Sequence, residues 1–217
     1  MNGSQVLSCA VRDAPPDWPV IRVLALWSWP AVEPAETAHR EAARQRAREL
    51  LLRHAGRDIA SAFLVSVRTA GGACRASISH ERDLSLVAWC KQGCIGVDLV
   101  DMEQLRNTAP QDLLAAARLY LGESASSASN QPADMTPAPR RFAEEWARHE
   151  AMLKCLGLGL DEWSLERQAR LNECTTAVVA FPAAVIGGSA RWVAAVAWRC
   201  PSAAFALPAM PLCRGIG

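Results

Sequence analysis

The chain has almost no net charge: 23 basic residues against 22 acidic ones leave +1 at pH 7 with histidine neutral. That balance excludes the broad electrostatic footprint with which a protein grips nucleic acid or an anionic membrane. The helix bearing Arg40, Arg44, Arg46 and Arg48 has no aromatic residues interleaved with its charges, so it reads as a solvated face rather than a nucleic-acid module. No apolar run approaches the roughly 20 residues that would span a bilayer. Residues 1–13 lack a basic stretch followed by an apolar one, so no secretory leader and a cytoplasmic location are expected. There is no CxxC pair among the eight cysteines, and the four histidines are scattered. Neither a zinc site nor a disulfide framework is therefore expected, only buried or incidental thiols in a reducing compartment. No Gly-x-Ser-x-Gly elbow occurs, which weakens a hydrolase reading of the adjacent Ser79-His80.

What is present is a chain that is 51% apolar and 21% charged, the composition of a packed globule. Its length suits one domain or two small lobes sharing a core. Strands are expected over 20–27, 62–68, 84–90, 96–100, 175–181 and 191–199, where β-branched and apolar residues cluster between Pro and Gly breaks. Helices are expected over 36–54, 110–121 and 141–156, closed by Gly56, Gly122 and Gly157 in turn. Residues 123–140 are rich in Ser, Ala and Pro and read as a mobile loop, and no periodicity survives from 201 onward. Gly71-Gly72-Ala73-Cys74-Arg75 resembles Gly187-Gly188-Ser189-Ala190-Arg191, and each precedes a similar strand, which suggests an internal duplication. The division expected is an N-terminal extension (1–19), a first α+β lobe (20–95), a second (96–200) and a tail (201–217).

Three segments carry chemistry. Asp98, in Gly96-Val97-Asp98-Leu99-Val100-Asp101, ends an apolar strand, where a carboxylate can reach a ligand or metal; taken alone, such an acid as commonly caps a turn. Glu150 and Lys154 stand four residues apart on one helix face, beside a stripe of Phe142, Trp146, Leu153 and Leu156. On spacing alone they are an ordinary helix pair worth about 0.2–0.5 kcal/mol. His149 falls on the apolar stripe and reads as a packed histidine. Ser77-Ile78-Ser79-His80 is a polar tip ahead of the strand that begins at Leu84.

Taken together and in order, Ser77-x-Ser79-His80, Gly96-x-Asp98-x-Val100 and Trp146-x-x-x-Glu150-Ala151-x-x-Lys154-x-x-Gly157-x-Gly159-Leu160 resemble the 4′-phosphopantetheinyl transferases. The resemblance implies an α+β fold of two similar lobes with pseudo-two-fold symmetry, each a small antiparallel sheet on a long helix, with coenzyme A between them. It implies a Mg²⁺-dependent enzyme, acting as a monomer, that moves the phosphopantetheine arm of coenzyme A to a serine of an acyl or peptidyl carrier protein. Asp98 and Glu150 are then the metal ligands. Glu150 and Lys154 are the catalytic pair, and Ser79, His80 and Lys154 contact the nucleotide phosphates. Arg75 stands in for basic residues the family usually carries nearby. Two departures are visible. Val100 occupies the place of a second acid, so water completes the metal shell there, and His149 replaces a lysine. A relative that binds coenzyme A or a carrier without turnover is the alternative these departures leave open. The segment between the two metal motifs is placed to meet the carrier, with Arg118, Arg140 and Arg141 as contacts for an acidic partner.

Overall fold

Odd-numbered Leu7, Cys9 and Val11 turn inward while Val6, Ser8 and Ala10 turn to solvent, a period of two that makes Ser4–Arg12 a strand, β1. In this computed structural model, which describes residues 4–28, 36–55, 76–82, 84–122, 139–185 and 188–200, β1 is a central strand. This differs from the expectation of an N-terminal extension. Its first six residues pair with β2 (Ile21–Ser28) and its last three pair with β6 (Thr175–Ala180), so β1 joins what were read as separate halves. The remaining strands are β3 (Ala76–Glu81), β4 (Leu84–Cys90), β5 (Cys94–Asp101) and β7 (Trp192–Arg199). All pairings are antiparallel, in the order β3-β4-β2-β1-β6-β7-β5.

The two edge strands of this seven-stranded sheet meet each other. Val97 N donates to Ser77 Oγ across the gap, at 3.0 Å. An edge strand leaves backbone groups unpaired, and a serine hydroxyl is small enough to satisfy one without wedging the strands apart. The Ser77–His80 segment is thus a strand paired along β4, not merely a polar tip before it.

Helices cover the outer faces. They are α1 (Glu36–Ala55), α2 (Met102–Arg106), α3 (Pro110–Ala116, continued as a π-helical turn through Leu121), α4 (Pro139–Leu156), α5 (Leu165–Leu171) and the short α6 (Gly188–Arg191). Leu50 and Leu51 of α1 pack with Leu26, Val87 and Trp89, whereas α4 packs on β5 and β7. Inside the curve lie Val23, Leu86, Ile95, Val97, Trp192 and Val196. β4 and β5 are buried on both faces, which explains their largely apolar runs, interrupted only by Ser85, Asp98 and Asp101. Among the described residues no helix is long and apolar enough to cross a membrane. The expected strand 62–68, the Gly71-Gly72 turn, most of the loop 123–140 and the tail 201–217 lie outside the described residues.

Candidate active site

Helix α4 reaches the sheet through small residues. Ala143, Ala147, Ala151 and Cys155 recur every fourth position and are all buried against β5 and β7. Opposite them, a Cβ on Gly96 would collide with the Ala151 carbonyl oxygen and the Cys155 amide. Only glycine permits that approach. The closest line of packing is therefore the alanine stripe, while Phe142 packs with Leu113 and Leu121, and Trp146 touches both groups.

The tight contact brings one face of α4 over Asp98, two residues beyond Gly96 on the same side of β5. Lys154 Nζ lies 2.6 Å from Asp98 Oδ1 and 3.2 Å from Ser79 Oγ. Ser79 Oγ in turn donates to Asp98 Oδ1 at 2.9 Å. Asp98 is buried, so this acid is held by a hydroxyl from one edge strand and an ammonium from the helix. One turn before Lys154, Glu150 is half-buried, and its carboxyl is pushed above the ordinary carboxylate range. Burial is the main cause and the charge of Asp98 the next, with Lys154 and Arg167 opposing them. His80 is positioned from across the hairpin, with Nδ1 2.8 Å from Ser85 Oγ.

Ser79, His80, Asp98, Glu150 and Lys154 line one cleft of about 970 Å³ between α1, the β3–β5 edge, α3 and α4. The sequence-predicted residues are thus brought together, except Arg75, which lies outside the described residues. Arg44 and Arg48 also line this cleft. Both side chains are exposed, as expected of a solvated helix face, and they border the same cleft as the acids.

Not every acid is available to a ligand. Asp101 is almost fully buried, caps α2 by accepting from Glu103 N, and pairs with Arg82 and Arg191. Val100 shares the Asp98 face but packs with Met102, Ala143 and Ala147. The site carboxylates that remain are Asp98 and Glu150, which both line the cleft and are close enough for the charge of Asp98 to raise the Glu150 pKa. Among the described residues no larger His/Cys/Asp/Glu group could hold a metal. Two carboxylates with an open cleft beside them fit a hard cation such as Mg²⁺, which takes its remaining ligands from phosphate and water.

His149 is buried under Trp146, and its pKa is lowered to about 4 by burial and then by Arg167. It is neutral at pH 7 and does not line the cleft. Arg167 is a residue that sequence reasoning missed. It sits in α5 behind Ser164, whose hydroxyl caps that helix, and donates to Gly159 O while its charge reaches both His149 and Glu150. Nothing in a short helix with several charges distinguishes it beforehand. The chain matches no family model, no curated protein and no solved structure.

Proposed function

We propose that the chain transfers the 4′-phosphopantetheine arm of coenzyme A to a carrier-protein serine, releasing adenosine 3′,5′-bisphosphate. The observation that carries this reading is the meeting of Ser79, Asp98, Glu150 and Lys154, from two edge strands and one helix, at a single cleft. On this reading α1 on β2–β4 and α4 on β5 and β7 are counterparts in two pseudo-symmetric lobes, and coenzyme A lies between them. The enzyme acts as a cytoplasmic monomer.

Asp98 and Glu150 would hold Mg²⁺, whose chemistry is neutralisation of pyrophosphate charge. The carrier serine oxygen attacks the phosphorus bearing the pantetheine arm, and the bond to the nucleotide phosphate breaks. Glu150, whose carboxyl already holds a proton more tightly than an exposed one, accepts the serine proton directly or through a water it orients. Lys154 turns from Asp98 to the leaving oxygen and stabilises its charge. Ser79 and His80 contact the nucleotide phosphates, with Arg44 and Arg48 supplying the positive charge that residues near Arg75 lack. Arg118 is exposed, and Arg140 and Arg141 pair with Glu144 and Glu145, so an acidic carrier meets Arg118 most directly.

Release of adenosine 3′,5′-bisphosphate that requires both coenzyme A and an apo carrier tests the proposal. Coenzyme A binding without release would instead favour the non-catalytic relative, the reading supported by the neutral, buried His149 where a lysine is expected.

A further inference from the structure

Helix α4 and the sheet enclose a second cavity, of about 190 Å³, that shares no residue with the cleft. Its floor is Val178 and Ala180 of β6 with Val193 and Ala195 of β7, the outward-facing residues of those strands. Arg12 pairs with Val178, Val178 with Ala195, and Ala195 with Asp98, so one row of residues crosses β1, β6, β7 and β5. Helix α4 lies across that row. From one flank it sends Lys154 to Asp98. From the other, Arg140, Glu144 and Arg148, spaced four apart, line the cavity on the side of Arg12.

The charges around this cavity do not balance. Glu144 is taken up by Arg140, at 3.1 Å. Among the described residues the side chains of Arg12 and Arg148 have no hydrogen-bond or ion-pair partner, although Arg148 is half-buried. A guanidinium keeps its charge when covered, so only a counter-ion restores the interactions it loses with water. The floor cannot supply them: Val178 and Ala195 are paired on both sides within the sheet, and their side chains are apolar. We propose that this cavity binds a small carboxylate with a short apolar body. Its two oxygens meet the guanidiniums of Arg12 and Arg148, and its chain lies on Val178 and Val193. A phosphate has more oxygens than these two groups can satisfy, and no chain to cover the valines. The space is also smaller than the roughly 300–1,000 Å³ of sites for larger ligands, which excludes a nucleotide.

NMR titration of the full chain with sodium butyrate, acetate, phosphate and chloride tests this, read at the amides of Val178, Ala180, Val193 and Ala195. Butyrate should give saturable shifts there at roughly millimolar concentration, and acetate weaker ones. Phosphate and chloride should give none that saturate. Arg12→Gln and Arg148→Gln should each weaken butyrate binding about tenfold, by loss of a charge-assisted contact. Arg12 is exposed at the end of β1, so its variant decides if Arg148→Gln does not fold. Butyrate shifts confined to the cleft overturn the proposal. So do phosphate binding as tight as butyrate at these amides, and unchanged butyrate affinity in either folded variant.

Discussion

Lys154 Nζ and Asp98 Oδ1, 2.6 Å apart, tie helix α4 to strand β5 at the edge of the cleft. The lysine side chain remains about a third exposed, at 32%, so the ion pair contributes no more than about 1 kcal/mol to the fold. A contact that weak is readily exchanged for a cation or a phosphate. Asp98→Asn should therefore keep the melting temperature within a few degrees yet lower the transfer rate on the order of a hundredfold. Near wild-type turnover in the folded variant would remove Asp98 from the site.

Arg44→Ala and Arg48→Ala should each weaken coenzyme A binding about tenfold by loss of a charge-assisted phosphate contact. Calorimetry at several salt concentrations checks this, with the wild type the more salt-sensitive. Unchanged affinity in both variants would return these arginines to an ordinary solvated face.

Gly96→Ala should push α4 away from β5, since its new methyl meets backbone atoms that cannot rotate aside. A loss of about 1–3 kcal/mol is expected, with activity falling further than stability because Glu150 and Lys154 move with the helix. Urea melts and rates measured together test it. Equal stability in variant and wild type would contradict the close approach.

The buried His149 predicts an acid-labile window. Its folded pKa of about 4 lies below the ordinary 6.5, so its neutral form stabilises the fold fully above 6.5. That contribution declines as pH falls and is gone below about 4, a loss on the order of 3 kcal/mol. His149→Leu should not show this component, so its stability relative to wild type should rise between pH 6.5 and 4. A pH-independent difference would reject it.

Much of the site was legible because its residues obey local rules. Glu150 and Lys154 share a helix face by their spacing; Asp98 was expected at the end of an apolar strand, whereas it lies within β5, opposite Ala195. His149 was legible as core from its place on the stripe. What escaped depends on tertiary contact. β1 was hidden because its alternation is modest, with Ser8 and Ala10 outward, and its pairing partners are distant in sequence. The alanine stripe of α4 looked like helix propensity until Gly96 was seen opposite it. Arg44, Arg48 and Arg167 are charges whose orientation only the packed fold decides.

In the proposed reaction Asp98 and Glu150 support metal-dependent transfer of the phosphopantetheine arm. The most direct measurement is the intact mass of an apo carrier protein after incubation with the chain and coenzyme A, with Mg²⁺ or with chelator. The carrier should gain the mass of one arm on its serine with Mg²⁺, and nothing with chelator or with Asp98→Asn. An unmodified carrier across acyl and peptidyl types, with folded protein and Mg²⁺ present, would contradict it.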